Sequence, residues 1–427
     1  MSEHEDIGLP AREAAAQFLE AALSRRAGLD EALSVSATRG LPPRDRALAR
    51  ALTMVALRHL GVIDRALAPK LQREPPERVR TLLRLGMAQL FWMDVPDHAA
   101  VSTTVAIADR LKPTRSFKGL VNAILRGLQR DGKPAEDPEA LAPSWLFARW
   151  QAAFGDAGAR AIAAVIANEP DTDLTAKDPA DAEALAALLE GTVLPGGSIR
   201  TAKRGDLAEW PAFAEGRWWV QDAGAAIPAR LLNIQPGQTA LDLCAAPGGK
   251  TLQLAAAGAS VVAIDRSADR LKRVSENLAR MDLTAEVVAA DARSWIDKRT
   301  FDAVLLDAPC SATGTFRRHP DVLWAAAPGD IASLAGVQIG MLDSAADRVK
   351  PGGRLVYCVC SLEPEEGEAQ IRGFLARRPD FALEPVSAGE GGAPADSISA
   401  EGWLRILPHH LEGGIDGFFA ARMVRRA

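Results

Sequence analysis

The stretch Thr239 to Thr251, TALDLCAAPGGKT, decides the fold. An apolar run that ends in Asp242 and Leu243 reads as a strand. A turn of small residues follows, and then a helix from Lys250 to Ala257. A turn without large side chains lets backbone approach a bound nucleoside, and the next helix offers its free N–H groups. Outward from it, Val261–Asp265, Ala285–Ala289, Ala303–Asp307 and Arg354–Cys358 read as further strands. Helices over Ser267–Met281 and Ile331–Val349 lie between them. This alternation predicts a mostly parallel α/β sheet covered on both faces, with ligands at the carboxyl ends of its strands. Two nucleotide motifs are excluded. A phosphate-binding loop ending in Gly249-Lys250-Thr251 needs glycine where Cys244 stands, and the dinucleotide fingerprint G-x-G-x-x-G is absent.

The upstream sequence has a different period. Ala14–Leu29, Ala47–Leu60, Val79–Trp92, Val101–Leu111 and Phe117–Leu128 carry apolar residues at helical spacing, which predicts an all-α bundle. The proline-rich stretch 131–143 ends it. Two helical stretches, Ser144–Phe154 and Gly158–Asn168, then lead into a small α/β segment. The expected domains are 1–137, 138–222 and 223–427. At 427 residues, 48% hydrophobic and 25% charged, the chain has ordinary globular composition. It has no apolar run of 18 residues and begins with the acidic MSEHE, so neither a membrane partner nor export is expected, and the cytosol is the default. Four cysteines without CxxC spacing and six unclustered histidines predict neither a disulfide scaffold nor a metal site. The net charge of −5 hides an asymmetry: residues 1–135 carry 21 basic and 15 acidic side chains (+6), leaving −11 for the rest. A polyanion would prefer the first third, where Lys118, Arg126 and Arg130 lie off the apolar face of Phe117–Leu128 and are candidate RNA contacts.

Three acidic residues close successive strands. Asp265 can accept both ribose hydroxyls, Asp291 can reach an adenine edge, and Asp307 ends the fourth strand. Carboxylates in register suit a nucleoside with a free ribose and no phosphates, and S-adenosylmethionine fits that description. Cys244 and Cys358 read as small packed side chains. Cys310, in Asp307-Ala308-Pro309-Cys310, and Cys360 both follow strand ends and are candidates for reactivity. A thiolate adding to carbon 6 of a pyrimidine makes carbon 5 nucleophilic towards a sulfonium methyl; a second thiol assists release, and a carboxylate holds the ring. Cys360, Cys310 and Asp307 supply these groups, and the base must leave its stack to meet them.

DLCAAPGGKT (242–251), LDAPCSATGTFRRHPDVLW (306–324) and YCVCSLEPEEGE (357–368) resemble the RNA cytosine-5 methyltransferases of the Sun/NOL1/NOP2 family, and the helices ending FKGLVNAILRGL resemble a NusB-like RNA-binding domain. The resemblance implies a Rossmann-like S-adenosylmethionine-dependent methyltransferase domain acting on small-subunit ribosomal RNA as a monomer. Cys244, Ala245, Ala246, Pro247, Gly248, Gly249, Lys250, Asp265, Asp291 and Asp307 would hold the cofactor. Cys360 would be the nucleophile and Cys310 the release cysteine; the reverse order, used by DNA cytosine-5 methyltransferases, stays open. Arg317 and Arg318 would contact RNA. Gln221 and Asp222 would buttress the floor of the site, and Asp416-Gly417-Phe418-Phe419 would form a last strand. Val359 stands where the family commonly has Thr, and the residues after Asn168-Glu169-Pro170 depart from the family's Arg-x-Asn pattern. Other targets, transfer RNA or another ribosomal site, stay open, as does a non-catalytic RNA-binding, antitermination-like role.

Overall fold

The structure, a computed structural model, describes residues 8–24 and 40–427. The acidic start of the chain and the end of the expected helix Ala14–Leu29 lie outside the described residues. The chain divides into two compact units, Met1–Glu169 with Phe316–Ala326, and Pro170–Thr315 with Ala327–Ala427.

The first unit is helical: α1 (Leu9–Ser24), α2 (Pro43–Arg58), α3 (Leu60–Leu67), α4 (Glu77–Trp92), α5 (Asp97–Arg110), α6 (Lys118–Asp131) and α7 (Ser144–Ala164). Prolines 42, 76, 96 and 143 stand immediately before α2, α4, α5 and α7. A proline there loses no helical hydrogen bond and presets the entering backbone. The apolar stripes bury Phe18, Leu52, Leu57, Leu83, Met87 and Leu125 in one core. Gly86 of α4 lies so close to α6 that a Cβ would stand 2.7 Å from Leu125 Cδ1, so the crossing depends on glycine. Gly155, with φ +75°, breaks α7 between the two helical stretches read from the sequence.

Phe316–Ala326 is built into this helical unit. Phe316 is fully buried against Trp150, with ring centroids 5.9 Å apart. Arg58 donates to the carbonyls of Ile166 (3.2 Å) and Arg317 (2.6 Å), and Trp324 Nε1 donates to Leu57 O (3.2 Å). The expectation for Arg317 is therefore corrected: its side chain is 1% exposed, carried inward beside Phe316 rather than presented to RNA.

The second unit begins with a small antiparallel sheet in the order β2-β3-β1-β4, made of β1 (Thr172–Ala176), β2 (Gly191–Val193), β3 (Ser198–Thr201) and β4 (Trp218–Val220), with helix α8 (Ala182–Leu188). On β1, where the sequence leaves the family pattern, Asp173 is fully buried and paired with Arg200 of β3 through two hydrogen bonds, 2.7 and 2.9 Å.

The main sheet follows: α9 (Ala223–Leu231), β5 (Thr239–Leu243), α10 (Gly249–Ala256), β6 (Ser260–Asp265), α11 (Ala268–Arg280), β7 (Glu286–Ala289), β8 (Phe301–Asp307), α12 (Pro328–Ala346), β9 (Val349–Val359), α13 (Glu368–Arg377), β10 (Phe381–Leu383), β11 (Leu404–Ile406) and β12 (Phe418–Arg425). Its order is β10-β12-β9-β8-β5-β6-β7, with β11 against β12. Strands β9, β8, β5, β6 and β7 are parallel, and β12 returns antiparallel to β9. The strand order reverses beside β5, which opens a crevice at the carboxyl ends of β5 and β8. The expected helix Ile331–Val349 stops at Ala346, because Val349 already pairs with Phe301 in the ladder. Among the described residues no helix is long and apolar enough to cross a membrane.

Removing one partner of a buried ion pair strands the other charge. Asp173→Ala is expected to destabilise the second unit by about 3–5 kcal/mol, read as a lower midpoint of chemical unfolding; an unchanged midpoint would refute the assignment.

Candidate active site

The parallel register of β8 and β9 builds the site. Asp307 is paired with Cys358, so Cys310, three residues beyond Asp307, and Cys360, two beyond Cys358, emerge at the same sheet edge. The loops are fastened together where they leave the sheet: Ala308 N donates to Cys358 O (3.0 Å) and Gly314 N to Cys360 O (2.9 Å). The two sulfur atoms stand 3.5 Å apart, both only partly buried. Gly314 is required here, since a Cβ would lie 2.1 Å from Gly417 O, just ahead of β12. The Asp416–Phe419 stretch thus walls the site, and Phe418 and Phe419 open β12 as expected.

Beside the sulfurs, Asp307 accepts from Lys250 Nζ (2.8 Å) through Oδ2 and lies 3.6 Å from Cys358 Sγ through Oδ1. Burial opposes the charge on Lys250, but Asp307 more than offsets it and holds the ammonium above its ordinary range. Sequence reasoning placed Lys250 in the cofactor turn; the structure joins it to Asp307. The Cys310 thiol is raised well above its usual range by its hydrogen bond to Cys360 and then by burial. Cys358 is raised by burial and by Asp307. Burial, with Asp307, Asp265 and Asp242 nearby, pushes Cys244 up to about 12. These shifts support reading Cys358 and Cys244 as packed side chains.

The turn after β5 is a shallow cradle. Cys244 (φ +64°) and Gly248 (φ +107°) take left-handed backbone, Ala245, Ala246 and Pro247 lie between them, and α10 starts at Gly249. A Cβ on Gly249 would sit 3.2 Å from the Gln221 amide. Gln221 itself accepts from Trp219 Nε1 (2.8 Å) and Thr175 Oγ1 (3.0 Å) and donates to Gln253 (2.7 Å). Asp222 caps α9 through Gly224 N (2.8 Å) and accepts from Asp416 N (3.0 Å), so both residues support the floor. Asp242 is fully buried; its Oδ2 accepts from Thr251 (2.6 Å), its Oδ1 has no partner, and burial pushes its carboxyl up to about 7. Asp265 accepts from Ala246 N (3.2 Å) and Ser267 N (2.9 Å) at the tip of β6. Asp291, after β7, is turned onto Arg293, whose hydrogen bonds hold it near 2. The cradle is thus rimmed by carboxylates, and its one lysine is engaged by Asp307. That donor set disfavours phosphates and fits an uncharged ribose beside a cationic sulfonium. Of the candidate RNA contacts, Lys118 and Arg126 lie exposed on α6, with Lys118 paired to Asp109 (3.0 Å), and Arg318 is half-buried.

A doubly wound sheet with a small-residue first turn, carboxylates at its strand tips and thiols beside them defines a Rossmann-like methyltransferase. Residues 229–424 match the family described as 16S rRNA methyltransferase RsmB/F, and residues 9–130 match the NusB family. The ribosomal RNA small subunit methyltransferase B of Pseudomonas syringae pv. tomato is 39% identical, covering 97% of each chain. That of Pseudomonas putida is 38% identical, over 97% of this chain and 98% of its own. The crystal structure of PH0851 shares 25% identity and a TM-score of 0.78, over 97% of this chain and 98% of that one. The chain belongs to the ribosomal RNA small subunit methyltransferase B family, and its helical region is NusB-like.

Alkylation needs thiolate. With its thiol near 12, Cys244 is ionised to only about one part in ten thousand at pH 8. Iodoacetamide treatment of the folded chain followed by peptide mapping is expected to label Cys360 well before Cys244. Equal rates would refute the burial argument.

Proposed function

We propose that this chain methylates carbon 5 of a cytosine in small-subunit ribosomal RNA, with S-adenosylmethionine as donor and Cys360 as the attacking sulfur. The observation that carries the reading is the pair of sulfurs 3.5 Å apart beside the Lys250-held Asp307. S-adenosylmethionine supplies an electrophilic methyl group; the cradle at Cys244–Lys250, with Asp265 and Asp291 on neighbouring strand tips, would hold it. Family membership and the carboxylates that rim the cradle support this choice of donor.

The chain's own residues then divide the work. Cys360 adds to carbon 6 of a base turned out of its stack, and the ring electrons this releases make carbon 5 nucleophilic. Asp307, partly exposed and oriented by Lys250, holds the ring edge through N3 or the exocyclic amine. Cys310, the neighbour of Cys360, is kept protonated by the causes given above, which leaves Cys360 as the attacking sulfur. After methyl transfer the carbon-5 proton passes to the Cys310 sulfur, once that thiol has given up its own proton to solvent, and the carbon–sulfur bond breaks with its electron pair returning to Cys360, which restores the ring. The enzyme acts as a monomer in the cytoplasm, where its ribosomal substrate lies, since one chain carries every group used. RNA is drawn to the basic face of α6 through Lys118 and Arg126, and Arg318 contacts it beyond the Cys310 loop.

Two experiments test this. With labelled small-subunit RNA and S-adenosylmethionine, Cys360→Ser is expected to abolish both methylation and the covalent complex, whereas Cys310→Ser accumulates the complex on denaturing gels. The opposite pattern would make Cys310 the nucleophile, and methyl-cytosine found only in transfer RNA would displace the ribosomal target. Lys118→Ala with Arg126→Ala is expected to weaken RNA binding and to lower the slope of log affinity against log salt by about 1–2; unchanged binding would remove α6 from the RNA surface.

A further inference from the structure

The two cysteine loops meet beneath the sulfurs on a side chain outside the reaction scheme. Glu366 is fully buried between β9 and α13. Its Oε1 accepts from Ser311 N (2.9 Å) and Gln338 Nε2 (3.2 Å), and its Oε2 from Ser311 Oγ (2.5 Å) and Ser361 Oγ (2.5 Å). Ser311 directly follows Cys310, and Ser361 directly follows Cys360. Gln338, also fully buried, donates to the carbonyl of Pro309, on the other side of Cys310 (2.9 Å). Tyr357 Oη, from the strand that leads to Cys360, donates to the backbone carbonyl of Glu366 (2.6 Å). One carboxylate therefore accepts from the residue after each sulfur, while Gln338 holds the residue before Cys310 and Tyr357 ties the strand leading to Cys360 to the Glu366 backbone.

We infer that Glu366 is the positioning residue that sets the spacing and direction of the Cys310 and Cys360 sulfurs. Its use in methyl transfer rests on the function proposed above; its hold on the two loops does not. A buried carboxylate is tolerated where donors surround it, and hydrogen bonds to an ionised acceptor are short and strong. Removing the carboxylate leaves the Ser311 amide without an acceptor and the two serine hydroxyls with longer contacts, to each other (3.1 Å) and from Ser361 to Thr313 Oγ1 (3.4 Å), while Gln338 keeps the Pro309 carbonyl. Its charge also faces Cys310 and adds to the factors that keep that thiol protonated. The effect is asymmetric, since Glu366 acts on both loops through hydrogen bonds but its charge weighs against ionisation of Cys310.

A dithiol probe tests the spacing without RNA or donor. Phenylarsine oxide condenses with two thiols that can reach one arsenic, forming two As–S bonds and releasing its oxygen with both thiol protons as water. In the wild-type full chain it is expected to bind once and to protect Cys310 and Cys360 together from iodoacetamide, as read by peptide mapping. Glu366→Gln keeps the size but puts an amide donor against donors; it and Ser311→Ala/Ser361→Ala are expected to lose about tenfold or more in arsenical affinity while each thiol stays alkylatable. The same variants should lower kcat by about tenfold or more, with KM for the methyl donor within about twofold. Wild-type chelation in folded Glu366→Gln and in the serine double variant would overturn the inference. A wild-type chain that chelates but methylates no RNA would overturn the proposed function and leave the inference standing.

Discussion

The site depends on the parallel ladder between β8 and β9. Because Asp307 lies opposite Cys358, two loops separated by fifty residues leave the sheet side by side, with their sulfurs in contact. A slip of one residue would turn every side chain of one strand to the opposite face. Leu355 and Tyr357, on one side of β9, and Val304 and Leu306, beside them on β8, are fully buried in one core, so the register that fills the core also fixes the chemistry. The ladder continues past the sheet in the bonds of Ala308 and Gly314 to the Cys358 and Cys360 carbonyls, which carries the register up to the reacting atoms.

The electrostatics around this edge are divided. The Lys250–Asp307 pair supplies a fixed cation and a fixed anion within reach of the crevice. The remaining carboxylates are each satisfied locally: Asp265 by turn amides, Asp291 by Arg293, Glu366 by hydroxyl, amide and backbone donors. Of the two sulfurs, Cys310 is the one held protonated, by its hydrogen bond to Cys360, by burial and by the Glu366 charge. Asp242 is the exception, with one oxygen orphaned in the core and its carboxyl raised towards neutrality, so it sits beneath the cradle as an uncharged group over much of the acidic range.

Much of this was legible in the sequence because strands ending in aspartate and turns of small residues are local signals. The strand Thr239–Leu243 and the break near Gly155 fall where periodicity puts them. The approach of Cys310 and Cys360 was readable as two strand ends on one sheet, but their 3.5 Å spacing follows from pairing register, which no local pattern encodes. Lys250 could be read only as part of a turn, since its partner lies 57 positions away. Arg317 was misread because a basic pair after a glycine-containing loop looks solvated; its burial goes with the anchoring of this segment by Trp150, against the adjacent Phe316, and by Arg58, both distant in sequence. Glu366 was hidden for the opposite reason. In Glu363-Pro364-Glu365-Glu366 the acids look like one exposed run, yet Glu363 and Glu366 point inward while Glu365 faces water.

The excursion of Phe316–Ala326 out of the sheet-containing unit and back again has a corollary for gene fusion. The two units are interleaved along the chain rather than strung end to end, so a genetic fusion that merely appends or deletes an N-terminal module leaves eleven residues of the downstream gene segment without their host. A chimera that exchanged the helical half alone would therefore leave Phe316 without Trp150 and Trp324 without the Leu57 carbonyl.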